Sequence, residues 1–206
     1  MPISIVSDEK RWVSRGAHKL LAALETFPVA VVGKTVLDVG ASTGGFTEAM
    51  LAAGAEKVVA LDVGRAQLHE SLRRDPRVES REGVNFRLVE PREIGAPFPL
   101  LVADLSFISL CTVASKLAEA ATPGADLIVL VKPQFEAGKG KVGRGGVVRD
   151  DTIRSESVRK VIDCLGAAGL GARGVIRSPI EGSDGNVEYL LWLRKGEPSA
   201  SLEVPA

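Results

Sequence analysis

The sequence predicts a three-layered α/β fold, in which a parallel β-sheet is covered by helices on both faces. Short runs rich in valine, leucine and isoleucine alternate along the chain with segments of helical period. Most of these runs are apolar on both faces, as expected for strands that lie between two helical layers. A ligand of such a fold is expected at the carboxyl ends of the strands.

The predicted elements follow in chain order. A helix at 14–26 comes first, because Leu20, Leu21 and Leu24 share one of its faces. Strands are predicted at 35–39, 57–62, 77–80, 99–104, 126–132, 171–177 and 187–194, and the helices between them at 45–53, 65–74, 110–121 and 151–168. We expect a single domain over residues 1–195, followed by a flexible tail at 196–206 that is rich in Ser, Pro and Glu.

The composition is that of a folded globular domain and excludes disorder over most of the length. Hydrophobic residues make up 45% of the 206 residues, and charged residues make up 25%. The 26 basic and 26 acidic side chains cancel, so any attraction to nucleic acid must come from a local patch. Only 4% of the residues are aromatic, which disfavours a wide base-stacking surface.

The sequence also disfavours membrane and metal-binding classes. The amino terminus lacks the basic region and apolar run of a signal peptide, and the longest aliphatic run, 127–131, is too short to cross a bilayer. Cys111 and Cys164 are expected to be two buried thiols of a cytoplasmic protein. With His18 and His69 as the only histidines, no zinc-type spacing exists, and we expect no metal.

The strongest local motif is a glycine-rich turn that joins a strand to a helix, Asp38-Val39-Gly40-Ala41-Ser42-Thr43-Gly44-Gly45-Phe46. Its glycines allow a ligand to touch the backbone, and the helix start offers free N–H donors. The spacing is not that of a dinucleotide fingerprint, and the Lys-Ser/Thr pair of a phosphate loop is absent.

An acidic residue at the end of the second strand narrows the ligand class. Asp62 can accept both hydroxyls of a ribose, but it would repel a nearby phosphate. A nucleoside without phosphates, such as S-adenosylmethionine (SAM), therefore fits better, and Asp38 can receive its ammonium group. The alternative is that Asp38 and Asp62 only cap turns; the glycine turn and Asp62 together favour the cofactor.

Basic groups occur in two places that can meet a substrate. Residues 137–149 form a glycine-rich basic loop without an acid, which can cover an active site and contact phosphates. The alternative is that residues 137–149 are only a solvated surface loop. A second group of basic residues lies just before the first predicted helix and at its start. The predicted substrate contacts are Arg15, His18, Lys139, Lys141 and Arg144.

Six short motifs stand out between residues 10 and 195, namely Trp12–Leu20, Asp38–Thr47, Asp75–Val78, Asp104–Leu110, Lys132–Glu136 and Gly185–Tyr189. In content and order they resemble the motifs of the TlyA family. This family comprises ribosomal RNA 2′-O-methyltransferases that are related to FtsJ and have long also been called hemolysins. The resemblance covers nearly the whole chain.

The resemblance implies a class I SAM-dependent methyltransferase with a Rossmann-like, mostly parallel, seven-stranded sheet and ribosomal RNA or ribosomal subunits as partner. It also implies a catalytic set, which corresponds to Lys19, Asp104, Lys132 and Glu188. With the glycine turn, the predicted cofactor contacts are Asp38, Gly40, Ala41, Ser42, Gly44, Gly45, Phe46, Asp62, Val63, Asn85 and Asp104.

The implied catalytic set makes chemical sense for methylation of a hydroxyl group. A ribose hydroxyl is a weak nucleophile that needs a base or a nearby cation. We hypothesise that Lys132 accepts or steers its proton, while Asp104 and Glu188 orient Lys132. Lys19 would help to hold the nucleophile. The alternative is a buried cluster of ion pairs without a catalytic role.

The chain departs from the family in three places. Full-length members begin with a small RNA-binding domain of the kind found in ribosomal protein S4, which we expect to be absent here. After the second strand, members carry Val-Gly-Tyr-Gly-Gln-Leu, whereas residues 63–68 read Val-Gly-Arg-Ala-Gln-Leu. Members have Thr before the asparagine, whereas this chain has Val84 before Asn85.

An O-methyltransferase of a nucleoside-like small molecule is an alternative function, because the net charge is zero and the RNA-binding domain is expected to be absent. A cytolysin is disfavoured, because no amphipathic membrane segment occurs. Amino-group acceptors are disfavoured because the segment 104–107 lacks a proline pair, and carbon methylation because Cys111 has no partner base.

Overall fold

The computed structural model describes residues 12–138, 140–182 and 184–205. Its strands are β1 (Thr35–Val39), β2 (Lys57–Asp62), β3 (Val78–Glu82), β4 (Phe98–Ala103), β5 (Ala121–Val131), β6 (Leu170–Arg177) and β7 (Tyr189–Lys195). Its α-helices are α1 (Gly16–Thr26), α2 (Gly45–Ala52), α3 (Glu70–Arg73), α4 (Ala114–Ala120), α5 (Pro133–Glu136) and α6 (Asp151–Ala167). None of the helices in these ranges is long and apolar enough to cross a membrane.

The seven strands form one sheet in the order β3-β2-β1-β4-β5-β7-β6. Strand β7 is antiparallel to β5 and β6, and the other neighbouring pairs are parallel. The strand order reverses between β1 and β4, which is where α/β sheets of this kind open a crevice for a ligand. The predicted fold class, a mostly parallel seven-stranded sheet between helices, is confirmed.

Apolar cores lie on both faces of the sheet. Val36 and Leu37 belong to different cores, because successive side chains of a strand point to opposite faces. Leu37 belongs to the core that also holds Leu117 of α4 and Val161 of α6. Val36 belongs to the core that holds Leu20 of α1. The two helical layers thus leave the carboxyl ends of the strands free for a site.

The predicted helix at 65–74 is wrong over most of its length. Only Glu70–Arg73 is helical, and the preceding residues form an irregular turn. The carboxylate of Glu82 accepts the backbone N–H groups of Ala66, Gln67 and Leu68 at 2.7–3.0 Å. These donors bond to a side chain on β3, and Ala66 has a left-handed φ of 54°, so the segment cannot be helical there.

Part of the segment after β7, where the sequence predicts a flexible tail, lies against β6. The backbone N–H of Ala200 donates to the carbonyl of Ala172 at 2.8 Å, and the N–H of Ala172 donates to Ser199 Oγ at 3.0 Å. A Cβ at Gly171 would lie 2.0 Å from the carbonyl oxygen of Glu197. The tail therefore lies along β6, and a glycine in that strand allows the close approach.

The expectation of two buried thiols is wrong as well. Cys111 and Cys164 form a disulfide with an S–S distance of 2.04 Å, and both residues are only partly buried. Cys111 lies in the short 3₁₀ turn Leu110–Val113, and Cys164 lies on α6, which packs against that turn. The pairing arises from this packing, which the separation of 53 residues does not reveal.

The left-handed conformation of Ala66 yields a test of the turn after β2. We expect Ala66→Gly to raise the free energy of unfolding by about 0.5–1 kcal/mol, because glycine removes the steric cost of φ 54°. Urea unfolding measures the change. Gly33→Ala is the matched control: Gly33 has φ 73° and open space around it, so we expect a loss of about 1 kcal/mol. A lower stability of Ala66→Gly would contradict the assignment.

Candidate active site

Two adjoining cavities open where β1 and β4 end. Gly40, Ser42 and Asp104 belong to the walls of both. The first, which we call the Lys132 cavity, has a volume of about 260 Å³. The second, which we call the Asp62 cavity, has a volume of about 350 Å³. The shared residues make the two cavities halves of one cleft at the strand-order reversal.

All four side chains that were predicted as catalytic line the Lys132 cavity. Lys132 directly follows β5, and its Nζ lies 2.6 Å from Asp104 Oδ1, while it donates to Ser106 Oγ at 2.8 Å. Lys19 on α1 donates to Glu188 Oε2 at 2.5 Å. The structure therefore brings together residues that lie as far as 169 positions apart.

These residues form two ion pairs that are largely shielded from water. The side chains of Lys19 and Lys132 are 11% and 10% exposed, and that of Glu188 is 3% exposed. A cation held at a water-poor cavity wall stabilises negative charge that develops on a nearby oxygen more strongly than it would in water. The arrangement is suited to activating a hydroxyl group, and the catalytic role of each residue stays a prediction.

The Asp62 cavity combines an oriented carboxylate with an apolar wall. Asp62 Oδ2 accepts the N–H of Ser42 at 2.8 Å, and Oδ1 accepts the N–H of Gly64 at 2.7 Å. Each oxygen keeps a lone pair that can receive a hydroxyl. The apolar wall of this cavity is made by Leu61, Val63, Val84, Phe86, Leu105, Ile108 and Val113.

The chemistry of this cavity fits the nucleoside part of SAM. A flat base suits the apolar wall, and the two ribose hydroxyls suit a carboxylate whose direction is fixed by backbone donors. The side chains that line the Asp62 cavity include the carboxylates of Asp62 and Asp104 beside a single arginine, Arg87, so the cavity is poorly suited to a pyrophosphate. Asp62, Val63 and Asn85, which are predicted to contact the cofactor, line this cavity, and their contact with a cofactor stays a prediction.

The glycines of the turn serve close packing as well as ligand access. A Cβ at Gly45 would lie 2.2 Å from Ser14 Oγ and 2.9 Å from the backbone nitrogen of Ala17. This contact seats the start of α1 directly on the start of α2. It also places Lys19 at the Lys132 cavity, because α1 continues from there along the core that holds Val36 and Leu20.

Two residues that were assigned to the cofactor do not line either cavity. Gly44 has φ 102°, and a Cβ there would lie 2.2 Å from Leu72, so its glycine is explained by packing. Asp38 is fully buried and accepts the hydroxyl of Thr47 at 2.6 Å. Burial, opposed by this hydrogen bond and aided by nearby Asp104, raises the pKa of Asp38 to about 7.

The predicted substrate contacts are placed unevenly. Arg15 is exposed and lines the Lys132 cavity, and His18 is exposed on α1. Lys141 lies instead beside a separate cavity between α5 and α6, where its Nζ is 2.7 Å from Glu156 Oε2. Lys139 lies outside the described residues, and only the backbone of Arg144 is described.

Several residues of the cleft were not predicted. Ser14, Gly16, Thr43, Ile180, Glu181 and Gly182 complete the Lys132 cavity. Phe107 lines the Asp62 cavity with 90% of its surface exposed and a left-handed φ of 63°. A bulky residue in this strained and exposed position is unusual. Its place in the motif that begins at Asp104 was the available signal.

This arrangement is typical of a class I methyltransferase. A cavity suited to a nucleoside lies where the strand order of a Rossmann-like sheet reverses, and it adjoins a wall of paired lysines and acids. The N-methyltransferase NodS from Bradyrhizobium japonicum, solved in complex with S-adenosylhomocysteine, has the same fold. Its TM-score is 0.61 at 17% identity over 92% of this chain and 90% of that chain. At this identity the likeness concerns the fold alone.

Sequence comparison gives the family. The FtsJ-like methyltransferase family matches residues 12–195, and the chain belongs to it. A relative from Mycobacterium tuberculosis, the 16S/23S rRNA (cytidine-2′-O)-methyltransferase TlyA, is 55% identical over 193 residues, which are 93% of this chain and 72% of that protein. A solved structure from Lactococcus lactis, described provisionally as a hemolysin, has a TM-score of 0.90 at 40% identity, over 96% of this chain and 95% of that chain. The resemblance to the TlyA family is confirmed.

The buried carboxyl of Asp38 yields a pH prediction. Its pKa is raised from 3.8 to about 7 in the folded state, so folding favours the protonated form. This contribution to stability is complete below pH 3.8 and is lost as the pH rises to about 7. We expect Asp38→Asn to gain stability relative to the unaltered chain as the pH rises from about 4 through about 7, as measured by urea unfolding.

The exposed residue Asp163 on α6 supplies the control, since Asp163→Asn should leave the pH dependence of the unfolding free energy unchanged. An Asp38→Asn variant with the same pH dependence as the unaltered chain would contradict the burial of an ionisable carboxyl at this position.

Proposed function

We propose that this methyltransferase uses SAM to methylate ribose 2′-hydroxyl groups of ribosomal RNA. The observation that carries the proposal is the meeting of the Lys132–Asp104 and Lys19–Glu188 pairs on the wall of a cavity that adjoins Asp62. The activity of the M. tuberculosis relative, cytidine 2′-O-methylation of 16S and 23S rRNA, supports the acceptor class.

The residues of the Asp62 cavity would hold the cofactor. Asp62 would accept its ribose hydroxyls, and the apolar wall would hold its base. When bound, SAM supplies an electrophilic methyl group. Asp104 belongs to both cavities, so it connects the cofactor wall to the residues that meet the acceptor.

The residues of the Lys132 cavity would prepare the acceptor oxygen. Lys132, fixed by Asp104 and Ser106, lies where it can hold the 2′-hydroxyl and steer its proton away as negative charge develops on the oxygen. The Lys19–Glu188 pair would fix the other side of the ribose. Holding both reactants in one cleft supplies much of the rate acceleration.

The proposal has consequences for partners and location. Arg15 at the cavity would contact RNA phosphates, and the basic loop 137–149 would supply further cations. Because rRNA is modified in the cytoplasm, we infer a cytoplasmic enzyme. Among the residues that the structure describes, no cluster of His, Cys, Asp and Glu could hold a metal ion, so no metal enters the proposal.

The acceptor is tested with tritiated SAM, ribosomal subunits that lack 2′-O-methyl groups, free rRNA and a panel of nucleosides. We expect label in rRNA, in dinucleotides that resist alkali because a methylated 2′-oxygen cannot attack the neighbouring phosphate. Label confined to nucleosides would replace this proposal with a small-molecule O-methyltransferase. Leakage from liposomes without any methyl transfer would favour a cytolysin.

Substitutions separate the two halves of the cleft. We expect Lys132→Ala to lower the rate of methyl transfer by at least about a hundredfold while SAM affinity changes little, because Lys132 acts on the acceptor. Lys132→Arg keeps the charge and tests proton handling. Asp62→Ala should abolish SAM binding measured by calorimetry, because the ribose loses its acceptor.

Lys57→Ala is the matched control for these substitutions. It removes a lysine whose Nζ lies 2.5 Å from Glu79, at the start of β2 and thus at the opposite edge of the sheet from the cleft. Both activities should persist in this variant. A normal transfer rate in Lys132→Ala would refute the catalytic role, and normal SAM affinity in Asp62→Ala would show that the nucleoside cavity is misassigned.

A further inference from the structure

Asn186 is a buried residue that does not line either the Lys132 cavity or the Asp62 cavity. It is 1% exposed, and both ends of its amide are bonded. Its Oδ1 accepts the N–H of Val148 at 2.9 Å, and its Nδ2 donates to the carbonyl of Gly146 at 2.9 Å. These partners lie 38 and 40 positions earlier in the chain. A buried amide that satisfies the backbone of a distant loop fixes the position of that loop.

The loop in question is the basic loop 137–149. At its start, Glu136 accepts the hydroxyl of Ser109 at 2.5 Å and the N–H of Leu110 at 2.8 Å. At its end, Arg154 supports Asn186 by donating from Nε to the carbonyl of Val148 at 2.9 Å. The loop is thus anchored by side chains at both ends.

Between these anchors, the described part of the loop bonds within itself, as in the 3.1 Å hydrogen bond from the N–H of Gly143 to the carbonyl of Val147. Gly138, Gly140 and Gly145 have φ between 78° and 88°, and a Cβ on any of them would meet no other atom within 4 Å. The ion pair between Lys141 and Glu156 is about half exposed and is therefore weak. The path of the loop is consequently set by its two anchored ends.

Asn186 also connects this loop to the Lys132 cavity. Its carbonyl accepts the N–H of Gly182, which lines the Lys132 cavity, at 2.9 Å. A Cβ at Gly182 would lie 2.5 Å from Glu188 Oε1, so this segment rests on the carboxylate that pairs with Lys19. One buried residue therefore joins the end of the basic loop to the wall of the Lys132 cavity.

We propose that Asn186 is a positioning residue that holds the basic loop beside Glu188, so that the cations of the loop meet the phosphates of the RNA substrate. The inference rests on the proposed rRNA 2′-O-methylation. The RNA backbone is recognised through lysine and arginine contacts that fix its register without reading its bases. Asn186 itself touches neither RNA nor cofactor.

Asn186→Asp is the sharpest variant, because it is nearly isosteric and keeps the acceptor for Val148 while it turns the donor toward Gly146 into a second acceptor. We expect its KM for rRNA to rise about tenfold, the change that corresponds to about 1.4 kcal/mol. The kcat at saturating RNA and the affinity for SAM should stay within about twofold of the unaltered chain. The log–log salt dependence of RNA binding should become shallower, since fewer phosphates are neutralised.

Trypsin supplies a readout that does not depend on activity. Lys139, Lys141 and Arg144 are cleavage sites in the loop, and we expect faster cleavage there in Asn186→Asp and Asn186→Ala, because the loop opens more often. Ser178→Ala is the matched control: it removes a buried hydroxyl whose bonds, among the described residues, run to Ile180 in the same β6–β7 connection. It should leave both the cleavage rate in the loop and the KM for rRNA unchanged.

The outcomes separate this inference from the proposed function. An unchanged KM for rRNA with unchanged cleavage of the loop would overturn the positioning role. A loss of kcat, SAM affinity and thermal stability together, without a selective rise in KM, would also overturn it, because Asn186 would then only stabilise the fold. Failure of the unaltered chain to methylate rRNA would instead refute the proposed function.

Discussion

The close approach of β1 and β4 at their carboxyl ends is the constraint on which the whole site depends. A Cβ at Gly40 would lie 2.4 Å from the carbonyl oxygen of Asp104. Only glycine therefore allows the segments that follow β1 and β4 to leave the sheet side by side. Gly40 also has φ 85°, a conformation that glycine adopts without steric cost. This contact places Asp104 between the two cavities. The side chain that fixes Lys132 is thereby held at the border of the cavity that carries Asp62.

The charges of the site are arranged as pairs, which reconciles a neutral chain with an electrostatically active cleft. A single buried lysine would carry a large desolvation cost, whereas a lysine held against a carboxylate keeps its charge at a lower cost. Lys132 and Lys19 each have such a partner, at 2.6 and 2.5 Å. Pairing also fixes the position of each ammonium group, because its carboxylate partner lies on the wall of the Lys132 cavity. Under the proposed function, attraction to RNA is left to exposed cations such as Arg15.

The sequence predicted those parts of the structure that depend on local pattern. The bounds of β1 and β2 agree with prediction to the residue, since each is a short β-branched run that ends at a glycine or an aspartate. The predicted helix at 65–74 failed because Glu82, on another strand, binds the backbone donors that a helix would have used. Asp38 was expected in the pocket because of its place in the motif, but its burial depends on Thr47 and on neighbouring strands. The disulfide and the contacts of Asn186 likewise arise from packing between segments that are far apart in the chain.

The ion pair between Lys19 and Glu188 shows how the first helix contributes to the wall of the Lys132 cavity. The two residues come from opposite ends of the domain, 169 positions apart. Their meeting requires α1 to sit on the start of α2, where Gly45 leaves room for Ser14 and Ala17, and β7 to occupy its place beside β5. Removing one member of a buried ion pair destabilises the fold more than replacing both members, because a lone buried charge is then left without a partner. The geometry of the Lys132 cavity therefore depends on the packing of α1. Substitutions where α1 contacts the start of α2 are expected to disturb the Lys19–Glu188 pair.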